Sequence, residues 1–456
     1  MRQPPSVNVG SQIVLLDKRP KLVTSLFASG GRVHVFVIDK ENLLHHVAIA
    51  GDQILVREIL GPINTDAVEQ LDAVEQPIGK IRVLAGDKQY VQDASDSQWR
   101  KIEGNRCGCF LPAGDHLYCA FVTKGDEIGA PHRTDTTAGI FFVLPIVYWS
   151  KVQVSKLVVA EESSIGWNIR AVLDPETSLD ADRDFLAGID KQGTLRFLYS
   201  TSRGGGVFVV AAGPGGVGGS YVSPASELRY AQVSQDFLQP RPIDNQETTS
   251  GKSSSSWEAI TGISLSGTPS FMSVEQSKQR DQIIREALRP LNGHFEVNKT
   301  SGEIDGLMTV RSATLKKGER EFKFSKGFDQ ACVEVGIGHG GWDRNFSVVT
   351  AADLPDAGRQ WYHLAIRSDL KGGLHALMRG YVFSPWRLAA SHDAAVYYLM
   401  KHGTDWSAPL PLGTSNLGLG GAGLAVNEDG FVFATWVSKD GTVVGRLITP
   451  HLQALQ

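Results

Sequence analysis

The chain has few of the features that usually announce a function. Only 4 of its 456 residues are cysteine, too few for a disulfide framework in so long a chain, so Cys107, Cys109, Cys119 and Cys332 point to a reducing interior or to a fold that needs no staples. No apolar stretch reaches the roughly 20 residues that a membrane-spanning helix requires. The most apolar run, Ala138 to Trp149 (AGIFFVLPIVYW), contains Pro145 and is expected as a buried strand. Charge of one sign is not in excess: 45 Lys and Arg face 49 Asp and Glu, a formal net charge of −4, which leaves no basic stripe for nucleic acid. Helical periodicity is scarce too. One segment carries it, Ser273 to Leu291, with Ser273 as an N-cap, Gln276 three residues on and Pro290 as a stop.

Catalytic signatures are equally sparse. No G-x-S-x-G elbow, H-E-x-x-H or phosphate loop occurs, and the glycine runs after Arg203 and Gly213 precede no helix. Ser438 to Val444 (SKDGTVV) lacks the spacing and the tryptophan of a Ser-x-Asp-x-Gly-x-Thr-Trp box. Two carboxylates across a cleft would serve glycoside hydrolysis, but the acidic residues are too many to single out a pair. The amino terminus, MRQPPSVNVGSQ, has no apolar core for a secretory signal; taken as the natural start, it implies a cytoplasmic protein or one exported by an unconventional route.

Glycine, at 49 residues, and period-2 alternation are what the chain has in abundance. Leu22 to Leu60 divides into four alternating segments with Gly30-Gly31 and Glu41-Asn42 at reversals. The same pattern recurs at Gly423 to Ile448 as three strands, with Glu428-Asp429-Gly430 and Lys439-Asp440-Gly441 as tight turns. The unpaired segment around Ile13 to Asp17 could supply the missing fourth strand and close a ring, removing the exposed edges of an open array. Further units are expected at Asp72 to Gly104, from Cys107 through a Gly/Thr-rich connection (132–139) to Ala160, and from Asp184 past the glycine-rich connection AAGPGGVGGS. The resulting expectation is an all-β protein, a β-propeller of five to seven four-stranded blades with an inserted small β domain carrying one helix. Its first part spans 1–244, a Ser-rich linker 245–257, the inserted domain 258–368 and the last part 369–456.

Three phrases share one form: GGRVHVFVIDKENLLHH, RDFLAGIDKQGTLRFLY and DGFVFATWVSKDGTVVG. A fourth, VYYLMKHGTDWSAPLPLG, adds a late tryptophan and Leu-Gly. These resemble the repeats of tectonin-like and fucose-binding propeller lectins, which implies shallow, multivalent carbohydrate sites between neighbouring blades and glycans or glycoproteins as partners. An aromatic ring would stack on the apolar face of a sugar while polar groups hold its hydroxyls. Candidates are Trp99, Trp386, Trp406 and Trp436, with Tyr90, Tyr398, Arg82, Arg379 and Arg387. Most tryptophans of such a fold pack between blades instead, and the first and fourth units lack the late tryptophan. Within the inserted block, EREFKFSKGFDQACVEVGIGHGGWDRNFSVV is similar in its order of strands and turns to H-type lectin domains. That resemblance implies contacts from His339, Trp342, Asp343 and Arg344; a blade with a long insertion, or another sandwich altogether, is the alternative.

Asp180, Asp182 and Asp184 alternate as carboxylates in a calcium loop do, flanked by Asp174 and Asp190, although the usual turn glycine is absent and a solvated acidic loop fits as well. Cys107, Cys109, Cys119 and His116 are a further candidate set, for zinc. A second functional class stands beside the lectin: a protein-interaction scaffold whose insertion docks a partner.

Overall fold

The computed structural model describes residues 7–233 and 293–450 with short gaps, the longest at 125–132, 349–358 and 383–393. All regular structure among the described residues is β-strand. The helical pattern at 273–290 and the linker 245–257 lie outside the described residues. The chain forms two compact units, one of residues 1–118, 188–193 and 292–456, the other of residues 119–187 and 194–291.

The first unit is built from antiparallel sheets. Sheet I runs β3 (Pro20–Phe27), β4 (Val33–Asp39), β5 (Leu43–Ala50) and β6 (Gln53–Pro62), each strand paired with the next. Sheet II repeats this with β7 (Leu71–Glu75), β8 (Lys80–Ala85), β9 (Lys88–Asp93) and β10 (Arg100–Ile102). Sheet III joins Gly293–Val297, Ile304–Arg311 and Gln330–Gly338. Sheet IV joins Arg359–Ser368, Leu374–Val382, Ala394–His402 and Leu410–Ser415. Sheet V consists of Ala422–Val426, Val432–Val437 and Val443–Pro450, and its last strand is also paired with β1 (Val7–Val9) and β2 (Ile13–Leu16).

These sheets stack face to face as propeller blades do, in the order III, IV, V, I, II. Leu307 packs on Ile366, Met378 and Trp406; Leu377, Val396 and Tyr398 on Ala434, Trp436 and Val444. Phe433 and Val443 meet Val35, Val37 and Ile49, and Phe36, Ile38 and Leu44 meet Ile81, Val83 and Tyr90. A sheet covered on both faces must be apolar on both, which is why β4 (VHVFVID) is buried along its whole length. Its alternation then sorts the side chains: Val33, Val35 and Val37 face sheet V, while His34, Phe36 and Ile38 face sheet II.

An aspartate closes a turn in the same way in sheets I and IV. Asp39 ends β4, accepts the Leu43 amide at 2.8 Å and meets His45 Nε2 at 2.7 Å. Asp369 likewise accepts the Lys371 and Gly373 amides at 2.8 and 2.7 Å, and lies 3.2 Å from His375 Nε2. His375 Nδ1 is in turn 2.6 Å from the Tyr398 hydroxyl. The carboxylate therefore satisfies turn amides and locks the turn to the next strand. Gly372, at φ +85°, supplies the left-handed residue this second turn needs.

Several expectations are corrected here. Arg359–Ser368, expected as the tail of the inserted domain, is the first strand of sheet IV, and the strands Gly293–Val297, Ile304–Arg311 and Gln330–Gly338 form a sheet packed on it. Strand periodicity shows which side chains share a face but not which strand is the neighbour. The Gly/Thr-rich connection and the apolar run Ala138 to Trp149 are parts of one hairpin, Arg133–Phe141 with Leu144–Val152, in which Ile140 lies opposite Pro145. The glycine-rich connection after Val210 is likewise a hairpin, Val207–Gly213 with Gly216–Val222. Cys107 and Cys119 are disulfide-bonded, while Cys109 remains a thiol. A disulfide consumes two members of the candidate zinc set, and no cluster suited to a metal occurs among the described residues. No helix among them is long and apolar enough to cross a membrane.

Candidate functional site

A polar grouping at a sheet-to-sheet seam lies between sheets I and II. Register builds it: Thr24, Phe36, His46 and Glu58 fall opposite one another across β3, β4, β5 and β6, and His34 sits two residues before Phe36 on the same face. Glu58 Oε1 is 2.7 Å from His46 Nδ1, and His46 Nε2 is 2.9 Å from His34 Nδ1. From the neighbouring sheet, Trp99 donates its indole N–H to Glu58 Oε1 at 2.9 Å. The rings are ordered as closely as the hydrogen bonds. His46 stacks between Phe36, centroids 4.9 Å apart, and His34, 5.1 Å apart, while Trp99 meets His46 edge-on at 5.1 Å and Phe36 at 5.7 Å.

Donor and acceptor roles follow from the ends of this chain. Trp99 only donates and a carboxylate only accepts, so His46 gives its Nδ1 proton to Glu58 and must receive, at Nε2, the Nδ1 proton of His34. Burial, reinforced by the neighbouring His46 and Arg32, pushes the His34 imidazole down to about 3. Burial also lowers His46, against the opposing pull of Glu58. Both rings are thus neutral at physiological pH. The seam opens to water at Glu58, whose side chain is 35% exposed, and at the half-buried Trp99.

Of Trp99, Trp406 and Trp436, whose side chains the structure describes, Trp99 is the one brought to such a seam beside a carboxylate. Trp406 is 2% exposed within the core shared by sheets III and IV. Trp436 is wholly buried, its indole donating to the Thr414 carbonyl at 3.1 Å. Both have their ring faces spent on core packing, the alternative role that a ring of this size takes when two sheets close over it. Tyr90 lies in the seam core and Tyr398 in that of sheets IV and V. Arg82 is buried and donates to the Gln76 carbonyl at 3.1 Å, and Arg379 is half-buried in sheet IV. Trp342 occupies a short strand with its backbone opposite Ile337. Trp386, Arg387, His339, Asp343, Arg344 and the acidic positions Asp174, Asp180, Asp182 and Asp184 lie outside the described residues; Asp190 is buried and accepts the Gln192 amide at 3.0 Å.

A second charged grouping joins the first strands of several sheets. Arg367 Nη1 is 3.0 Å from Glu296 Oε2, and its Nε donates to the Leu424 carbonyl at 3.3 Å. Asp72 accepts the Phe110 amide at 2.8 Å and lies within the field of Arg367. The surrounding protein pushes the Asp72 carboxyl up despite these favourable contacts, whereas Glu296 raises Arg367. Neither this group nor Glu58, His34 and His46 was singled out from the sequence. Histidines in alternating strands were visible there, but which carboxylate they would meet was not.

No protein-family model matches the chain, and no curated protein matches it in sequence. Among solved structures it is similar to a polysaccharide lyase of family PL25, an ulvan lyase solved with a -[GlcA(1-4)Rha3S]- ligand: 10% identity, 95% of each chain covered, TM-score 0.47. The fucose-recognising lectin of Aleuria aurantia, a six-bladed β-propeller, is 10% identical over 94% of this chain and 92% of its own, at a TM-score of 0.33. The lectin BP39L of Burkholderia pseudomallei is 12% identical over 94% and 98%, at 0.37. Likeness at this level carries no assignment of activity.

Proposed function

We propose that the chain is a carbohydrate-binding protein whose described residues place one sugar site at the seam of sheets I and II. The observation that carries this reading is the pairing of Trp99 with Glu58, an indole and a carboxylate held together at a half-open edge between two stacked sheets. A pyranose presents an apolar C–H face and a rim of hydroxyls, so a ring and an adjacent acceptor are the complement it needs. The lectin-like repeat phrases support the same reading, and recurrence of such seams would make binding multivalent, weak per site and strong in sum. In this reading the sheets are blades of a propeller of five to seven blades, closed by the amino-terminal strand, and Asp180, Asp182 and Asp184 are candidate calcium ligands.

Binding of the purified chain to a broad glycan array, with and without calcium, tests this. The array should detect a glycan for the wild type and lose it, or weaken it at least tenfold, for Trp99→Ala and Glu58→Gln, with each variant's far-ultraviolet circular dichroism spectrum matching that of the wild type. Absence of any glycan bound by the wild type would refute the proposal. One observation favours the scaffold reading instead: Leu55, Val56 and Ile59 on the edge strand β6 and the nearby Val14 are exposed, Ile59 by 58%. Co-purification of a stoichiometric protein, lost in Leu55→Ser/Ile59→Ser, would support that alternative.

A further inference from the structure

The hydrogen-bond chain at the seam tolerates extra protons poorly. Its order, Trp99 to Glu58 from one side and His34 to His46 to Glu58 from the other, occupies Glu58 Oε1, both ring nitrogens of His46 and Nδ1 of His34. A proton added to either ring places a charge on one of two stacked imidazoles, of which His34 is 6% and His46 2% exposed. A second would set N–H against N–H across the 2.9 Å contact between His34 and His46. No arrangement keeps that contact with both rings charged.

The groups facing the pair are few. Arg32, from the turn before β4, is a like charge and opposes protonation of His34. Glu58, from β6, favours protonation of His46. From sheet II, Trp99 and Tyr90 lie in the interface, Lys88 donates across it to the Pro62 carbonyl, Gln92 and Lys101 share the face of Tyr90, and Glu75 is turned to the amide and hydroxyl of Ser29. Across the sheet, His45 faces away and is held by Asp39. The carboxylate that hydrogen-bonds this pair, Glu58, is the same one that holds Trp99.

We propose that His34 and His46 are an acid-sensitive latch that keeps Trp99 and Glu58 fixed between sheets I and II at neutral pH and lets the seam open when both rings become charged. The inference rests on the packing of the seam and holds whichever ligand the site takes. Its direction follows from linkage: the closed seam holds both rings neutral, while in the open seam each is an ordinary solvated histidine. Each pH unit below the ordinary histidine value of about 6.5 then favours the open form by up to about tenfold per ring. Opening exposes the Trp99 indole N–H, which makes the event observable at one atom.

Indole N–H resonances of the 15N-labelled full chain, with Trp99 assigned by loss of its peak in Trp99→Phe, should be followed from pH 7.5 down to 4. The Trp99 resonance is expected to lose its hydrogen-bonded shift and its exchange protection in a step that involves close to two protons. That step should precede loss of the far-ultraviolet circular dichroism signal. In His34→Gln/His46→Gln, which retains hydrogen-bonding groups but does not titrate, the step should vanish. A Trp99 indole that stays protected until global unfolding, or an identical step in the double variant, would overturn the latch. If the double variant does not fold, the wild-type imidazole Cε1–H resonances decide: joint titration of both rings with the indole step supports the latch, and independent titration without it refutes it.

Discussion

Single residues close the turns of this fold, and Asp39 shows how. Burial opposes ionisation of its carboxyl, but hydrogen bonds from His45 and the Leu43 amide, with the charge of His45, outweigh burial and hold it below the ordinary carboxylate range. Because the folded value is depressed, this stabilisation is present above the unfolded carboxylate value of about 3.9 and is lost as pH falls through the folded one. Asp39→Ala leaves a buried histidine and a turn amide without their acceptor and should cost about 3 kcal/mol, read as a lowered urea midpoint at unchanged slope. Asp39→Asn, which can still accept the Leu43 amide, should cost less. The cysteines give a second expectation at this scale. Alkylation under non-reducing denaturing conditions should label Cys109 and leave Cys107 and Cys119 unmodified until reductant is added, as read by peptide mass spectrometry.

At the scale of strands, the stack depends on how ring and gap alternate within and between sheets. Trp436 projects from sheet V onto Gly413 of sheet IV, where an added Cβ would come within 3.0 Å of the indole. Phe433 in the same strand fills the space over Gly445, where an added Cβ would lie 2.6 Å from its ring. Trp436→Ala should therefore cost about 4 kcal/mol through the cavity left in the core of sheets IV and V. Gly445→Val should cost a comparable amount by overpacking, although the backbone at Gly445 is ordinary strand. Thermal denaturation of both variants checks this, and a melting temperature within a degree of wild type for either would contradict the packing described. The sequence marked Trp436 and Trp406 as aromatic residues of the repeats without showing their role, because a ring that faces a ligand and a ring that faces a sheet occupy the same strand positions.

For the molecule as a whole, strands from opposite ends of the chain meet in sheet V, where Val7–Val9 and Ile13–Leu16 pair with Val443–Pro450. Deleting residues 1–16 should expose the backbone edge of that last strand and lower solubility, seen as aggregation in size-exclusion chromatography. Much of this organisation was legible beforehand. Period-2 alternation and polar turns located the four strands of sheet I and the three of sheet V, since a pleated strand fixes which residues share a face. Glycine content and scarce helical periodicity also pointed to the all-β class, and all regular structure among the described residues is strand. Pairing between distant segments was not legible: the assignment of Arg359–Ser368 to sheet IV, and the hairpins hidden in glycine-rich and apolar stretches, depend on neighbours that sequence order does not specify. The same holds for the site. The sequence by itself determined that His34 and His46 sit on buried, alternating strands and that Trp99 ends the next unit. Only the tertiary structure decided that these side chains converge on Glu58, because hydrogen bonds are satisfied by proximity in space, and strand register together with the stacking of sheet I on sheet II creates that proximity.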